Sequence, residues 1–133
     1  MNETDLVKEW YRFALTDLQA ARHLFESMNP KPLEIICYHC QQAAEKALKG
    51  FLISHGVRPP YIHDLEELCL ECMKHNPSFG EIQQVCQELT NYGVPMRYPG
   101  DVEIKETEAI SALEKAKKIC TFCSDLNPSL PRG

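Results

Sequence analysis

Residues 38–50 read YHCQQAAEKALKG and are the most informative stretch of this chain. Their apolar side chains recur at intervals of three and four residues, which is typical of an amphipathic helix. Gln42, Glu45 and Lys49 are also three and four residues apart, so they share one polar face of that helix. Small alanines between them would let a neighbouring helix approach closely.

The same periodicity predicts four further helices around this one. The predicted helices run from a cap at Thr4 or Asp5 to about Ser27, from near Leu33 to Gly56, from Asp64 to Asn76, from Ser78 to about Asn91, and from Thr107 to Asn127. No stretch shows the alternation of a strand. The sequence therefore predicts an all-α fold, an up-and-down antiparallel bundle of four to five helices. We expect a single domain over residues 1–128 and a flexible C-terminal tail over residues 129–133.

The composition is that of an ordinary folded domain. Hydrophobic residues make up 44% and charged residues 25% of the 133 residues. A formal net charge of -5 does not favour general attraction to nucleic acid or to an anionic membrane. No apolar run approaches the roughly 20 residues that span a bilayer, and no secretory leader is evident. We therefore expect a cytoplasmic protein without membrane association.

Three pairs of cysteines have the spacing Cys-x-x-Cys, which also occurs in zinc and redox sites. These pairs are Cys37 with Cys40, Cys69 with Cys72, and Cys120 with Cys123. Each falls within the apolar stripe of a predicted helix, without a glycine or proline that would wrap both sulfurs around one ion. Buried cysteine behaves as a small hydrophobe, so we expect core packing and no metal site. A zinc or redox protein remains an alternative.

Four separate patterns resemble the HEPN domain, the nucleotide-binding domain of higher eukaryotes and prokaryotes. The helix around residues 38–50 resembles its signature. The other matching residues are Trp10, Ala14, Asp17, Leu18 and Ala21 in the first helix, His63, Asp64, Leu65 and Leu68 at the start of the third, and Arg97, Tyr98 and Pro99 in a loop. Together they extend over about residues 8 to 120.

The resemblance implies a helical bundle that forms a homodimer. It further implies that the protein works with a minimal nucleotidyltransferase partner in a two-component system of the toxin-antitoxin kind, and that it binds a nucleotide or RNA. No cofactor is implied.

Many relatives of this kind are ribonucleases with an arginine followed, after four to six residues, by a histidine near the last helix. This sequence has no histidine after Arg97, since the last one is His75. Arg58 and His63 match the spacing, but they lie in the connection between the second and third helices, and we interpret the match as accidental. Enzymatic activity is therefore not predicted, and an RNA-cleaving toxin component remains an alternative.

The candidate nucleotide-binding residues are Gln42, Glu45, Lys49, His63, Arg97 and Tyr98. Arg97 stands between two prolines, where its guanidinium either pairs with Glu45 or clamps a phosphate. In the second case Lys49 would assist and Tyr98 would stack on a base. His63 either positions the start of the third helix or acts as a general acid or base.

Overall fold

The fold was analysed in a computed structural model, which describes residues 2–92, 103–127 and 129–130. In these residues there are five α-helices and no strand. The helices are α1 (Glu3–Ser27), α2 (Leu33–Ser54), α3 (Leu65–Met73), α4 (Gln83–Leu89) and α5 (Glu106–Asp125), with 3-10 helices at Pro77–Ile82 and Thr90–Tyr92. The predicted all-helical bundle is confirmed.

Helix α2 is the central element of the bundle, because it packs against α1, α3 and α5. Its most extensive contact is with α1, where small residues bring the two backbones close together. A Cβ atom added to Gly50 would lie 3.0 Å from Cε2 of Tyr11 and 3.3 Å from Cβ of Trp10. Glycine therefore lets the aromatic side chains of α1 lie directly against the backbone of α2.

The connection after α2 turns the chain back along that helix. Gly56, with a φ of 74°, ends α2 in the left-handed conformation that glycine adopts easily. Residues 57–64 then return toward the middle of α2, where Nε2 of Gln41 donates to the carbonyl oxygen of His63 at 2.9 Å. Helix α3 runs beside α2 from there, with Sγ of Cys72 3.6 Å from the Leu48 carbonyl oxygen. This path brings His63 onto the polar face of α2.

Two helices begin at residues other than the predicted ones. Helix α1 starts at Glu3, because Oδ1 of Asn2 accepts a hydrogen bond from the Asp5 backbone N–H at 2.8 Å. Helix α5 starts at Glu106 rather than at a Thr107 cap. Several polar residues near each start could serve as a cap, and the sequence does not show which one the chain uses.

The predicted third helix is confirmed at its start, where the Asp64 carboxylate accepts from the Glu67 backbone N–H at 3.0 Å. The predicted fourth helix is wrong as a single element. Its first part is the 3-10 helix Pro77–Ile82, and only Gln83–Leu89 is α-helical. Proline and glycine within six residues weaken the α-helical preference there.

Two features concern the ends and loops of the bundle. Leu130 is buried, and its backbone N–H donates to the Asn127 carbonyl at 3.0 Å. The predicted loop over residues 93–101 lies outside the described residues. Of the helices in the described part of the chain, none is long and apolar enough to cross a membrane.

Candidate functional site

A buried carboxylate organises the polar face of α2. Oε2 of Glu45 lies 3.1 Å from Nζ of Lys49, one turn further along the helix. The same oxygen lies 3.1 Å from Nδ1 of His63, which the returning connection places above it. Three of the six predicted site residues therefore meet at one point.

These three side chains differ sharply in their exposure to solvent. The side chains of Glu45 and Lys49 are only 7% and 8% exposed, whereas that of His63 is 75% exposed. A buried carboxylate is stable only if its charge is compensated, and Lys49 supplies that compensation. The imidazole of His63 is thus held by one nitrogen while most of the ring remains in solvent.

Gln41 fixes the backbone at the same position. This side chain is fully buried, and its amide nitrogen holds the His63 carbonyl. Its Oε1 atom accepts no hydrogen bond from the described residues. His63 is therefore fixed at both its backbone and its side chain by residues of α2. Gln41 was not among the predicted site residues, although its spacing from Cys37, Ala44 and Leu48 places it on the apolar face of α2, which is the signal that predicts its burial.

A second polar cluster joins α1 to α2. Oδ1 of Asp17 lies 2.9 Å from Nδ1 of His39, and Oδ2 accepts from Nζ of Lys46. The carboxylate is mostly buried and ties the two helices together beside Gly50 and Tyr11. This cluster was missed, because partners 22 and 29 residues apart in sequence meet only in the folded chain.

Gln42 lies between the two clusters on the surface of α2. It is half-buried, and its helical neighbours at three and four residues are His39, Glu45 and Lys46. Its side chain makes no hydrogen bond to the described residues, which leaves the amide available to a ligand. Arg97 and Tyr98 lie outside the described residues, so the predicted contacts of these two side chains stay predictions.

The cysteines lie in the core rather than at this site. All seven are buried and free of disulfides. Burial raises the pKa of Cys120 to about 12 and raises those of Cys40 and Cys72 as well. Cys69 differs, because a hydrogen bond with Cys86 lowers its pKa, but it is equally buried. Within the described part of the chain, no group of three metal-ligating side chains is positioned to hold an ion.

Comparison with known proteins places this bundle in a family. The HEPN domain family matches residues 7–126, which is most of the chain. The chain belongs to the HEPN family. Its fold is similar to TT1696 from Thermus thermophilus, with a TM-score of 0.75 and 25% identity, covering 90% of this chain and 96% of the other.

A second solved structure supports the same assignment. ST0689, described as an archaeal HEPN homologue, has a TM-score of 0.69 and 25% identity to this HEPN domain, with the same coverage of 90% and 96%. No curated protein matches the chain. The resemblance in helix α2 is thus confirmed at the level of the family and its fold.

Proposed function

We propose that this HEPN domain binds a nucleotide on the polar face of α2. We further propose that it does so as a homodimer that works with a nucleotidyltransferase partner in a two-component system of the toxin-antitoxin kind. The observation that carries the proposal is the exposed His63 imidazole held by the buried Glu45 carboxylate. Family membership supports it without specifying the ligand.

The geometry suits recognition of a phosphate group. With Nδ1 of His63 directed at Glu45, its Nε2 atom is the one left to meet a ligand. The half-buried Gln42 amide adds a neutral donor on the adjacent face. Lys49 would act indirectly, because its ammonium group is buried against the Glu45 carboxylate and holds it in place.

Thermal unfolding in the presence of ATP or GTP tests nucleotide binding. We expect saturating nucleotide to stabilise the wild-type protein by about 2.7 kcal/mol at a concentration one hundred times the Kd. The shift should disappear in His63→Ala and shrink in Gln42→Ala. His23→Ala is the matched control, since His23 is an exposed histidine on α1 and is not part of the proposed site. An equal shift in His63→Ala, or none in the wild type at millimolar nucleotide, would disprove this site.

RNA cleavage is the second candidate function, and the same pair favours it. A carboxylate that orients an exposed imidazole is the arrangement of a general base. Arg58 is exposed five residues before His63 and could contact a phosphate. Degradation of RNA in the presence of a chelator, lost in His63→Ala, would favour this function. If Arg97→Ala abolished cleavage while His63→Ala did not, the catalytic residues would instead lie in the segment that contains Arg97.

The surface beside the Asp17–His39 pair supports assembly. Phe13 lies one turn before Asp17 and is 46% exposed, and Ile35 lies one turn before His39 and is 38% exposed. A contiguous exposed apolar patch commonly marks a protein interface, and a homodimer that uses this surface would bury both side chains. Light scattering on the purified chain tests the homodimer. If a neighbouring gene encodes a nucleotidyltransferase, the same measurement on a mixture of the two proteins tests the partner.

A further inference from the structure

A small groove lies between α1 and α5, away from His63. Its volume is about 140 Å³. It is lined by Leu15, Leu18 and Arg22 of α1 and by Lys117, Thr121 and Ser124 of α5. Two cations and two hydroxyl groups thus share a cavity with an apolar wall.

Arg22 is a half-buried cation with no anionic partner in the described part of the chain. It forms no ion pair or hydrogen bond with the described residues, and Glu26, one turn further along α1, forms no ion pair with it. Asp17 does not neutralise it either, since both oxygens of that carboxylate are engaged by His39 and Lys46. A guanidinium removed from water gains most from a charged acceptor, and the described residues supply none here.

Arg22 and the buried Cys120 of α5 line the same groove, which places the Arg22 side chain at the seam between α1 and α5. Burial raises the pKa of Cys120 to about 12, and the positive charge of Arg22 partly opposes that rise. It opposes the raised pKa of Cys40 on α2 in the same way. The guanidinium therefore lies over the seam of the bundle rather than extending away from it.

The α5 side of the groove supplies the remaining polar groups. Lys117 is exposed and forms no ion pair with the described part of the chain. Oγ of Ser124 donates to the Thr121 backbone carbonyl at 3.2 Å. The hydroxyl of Thr121, which is exposed, forms no hydrogen bond with the described residues. Glu114 and Asp125 face the neighbouring groove that Lys117 also lines. The groove between α1 and α5 itself is lined by two cations and by no carboxylate of the described residues, in a chain whose formal net charge is -5.

We infer that this groove binds a phosphate group, either free or carried by a nucleotide. The guanidinium of Arg22 offers two parallel donors to its oxygens, and the Lys117 ammonium supplies the second positive charge of a dianion site. The Thr121 hydroxyl completes the set of donors. The site is separate from the one proposed around His63 and shares no residue with it.

Titration calorimetry with inorganic phosphate at low ionic strength tests the inference. We expect Arg22→Gln and Lys117→Gln each to weaken phosphate binding roughly tenfold, the loss of one charge-assisted contact. Arg12→Gln and Lys118→Gln are charge-matched controls, because each removes one positive charge from the same two helices and neither residue lines the groove. Thr121→Val should weaken binding less, and circular dichroism should confirm that every variant is folded.

Two results would overturn the inference. One is phosphate affinity in Arg22→Gln equal to that in Arg12→Gln, and the other is no measurable phosphate binding to the folded wild type. Adenosine and adenosine 5′-monophosphate identify the source of the phosphate. If adenosine 5′-monophosphate binds more tightly than inorganic phosphate and adenosine does not bind, the natural ligand is a nucleotide. Because the site proposed on α2 would also bind phosphate through His63, the titration is repeated in His63→Ala. Phosphate binding that persists in His63→Ala and is lost when Arg22→Gln is added belongs to the groove, whereas binding lost in His63→Ala alone belongs to the site on α2.

Discussion

Glu45 illustrates how this bundle accommodates a charge in its interior. Its carboxylate is almost fully buried and contacts one buried ammonium and one exposed imidazole. Exposed ion pairs add little to stability, but removing one member of a buried pair leaves an uncompensated charge. The residue therefore serves the fold through Lys49 and the candidate site through His63.

The Glu45→Gln variant separates these two kinds of ion pair. We expect it to lower the free energy of unfolding by about 3 kcal/mol, because the Lys49 ammonium stays buried without a counter-charge. Glu71→Gln, which breaks the exposed pair with Lys74, should change it by about 0.5 kcal/mol or less. Urea unfolding followed by circular dichroism measures both. A loss in Glu45→Gln no larger than in Glu71→Gln would contradict the structural role assigned to Glu45.

At the scale of the element, helix α2 carries two similar arrangements on one polar arc. Each consists of a mostly buried carboxylate that contacts a histidine Nδ1 and a lysine Nζ. One uses Asp17 of α1 and the other uses Glu45 of α2 itself. The opposite arc of α2 is apolar and packs in the core, so a single helix both organises the bundle and presents the candidate site.

The close approach of α1 and α2 depends on Gly50. A larger side chain there must displace Tyr11 or separate the helices, since even a Cβ atom would lie 3.0 Å from the Tyr11 ring. We expect Gly50→Leu to lower the free energy of unfolding by about 1–3 kcal/mol despite its better helix propensity. Gly80→Leu is the control, because Gly80 is exposed and its nearest neighbour to an added Cβ is 3.7 Å away. Equal stability of the two variants in urea would show that the helices can separate freely.

At the scale of the whole molecule, the core is unusually rich in thiols. Seven buried cysteines share it with leucine, isoleucine and alanine side chains. Several make weak hydrogen bonds to carbonyl oxygens, such as Cys120 to Ala43 and Cys69 to Phe79. Protonated and inaccessible thiols are poor nucleophiles and poor metal ligands, so this arrangement supports a packing role for the Cys-x-x-Cys pairs.

The raised pKa values predict a loss of stability in alkali. Cys40, Cys72, Cys120 and Cys123 all have a pKa above the usual value of 9.0, chiefly because of burial. Above pH 9 these thiols ionise in the unfolded chain but stay protonated in the folded one. The contribution of these thiols to stability is therefore complete below about pH 9. As the pH rises toward 12, ionisation of the unfolded chain lowers the free energy of unfolding.

Urea unfolding in a reducing buffer over this pH range measures the effect. Cys120→Ala removes one of these thiols. The free energy of unfolding of this variant should therefore fall less steeply with pH than that of the wild type, and the two slopes should differ by up to about 1.4 kcal/mol per pH unit. Other titrating groups are shared by both proteins and cancel in the comparison. The same slope in both would show that Cys120 ionises equally in the folded and unfolded states.

The sequence by itself determined the helical class, the approximate position of most helices and the family. Helical periodicity and proline breaks are local signals, and residues 38–50 carry both the amphipathic pattern and the family signature. The short segment Pro77–Ile82 was wrongly predicted as α-helix, since 3-10 and α-helical turns have similar apolar spacing.

Only the tertiary structure decided which polar residues of α2 are buried and what they contact. Glu45 and Lys49 look like an ordinary surface pair in the sequence, and Asp17, His39 and Lys46 do not look related at all. The connection after Gly56 brings His63 to the Glu45–Lys49 pair. The packing of α1 on α2 brings Asp17 to His39 and Lys46. Burial and pairing depend on chain segments that are distant in sequence, whereas helix formation depends on neighbours within a few residues.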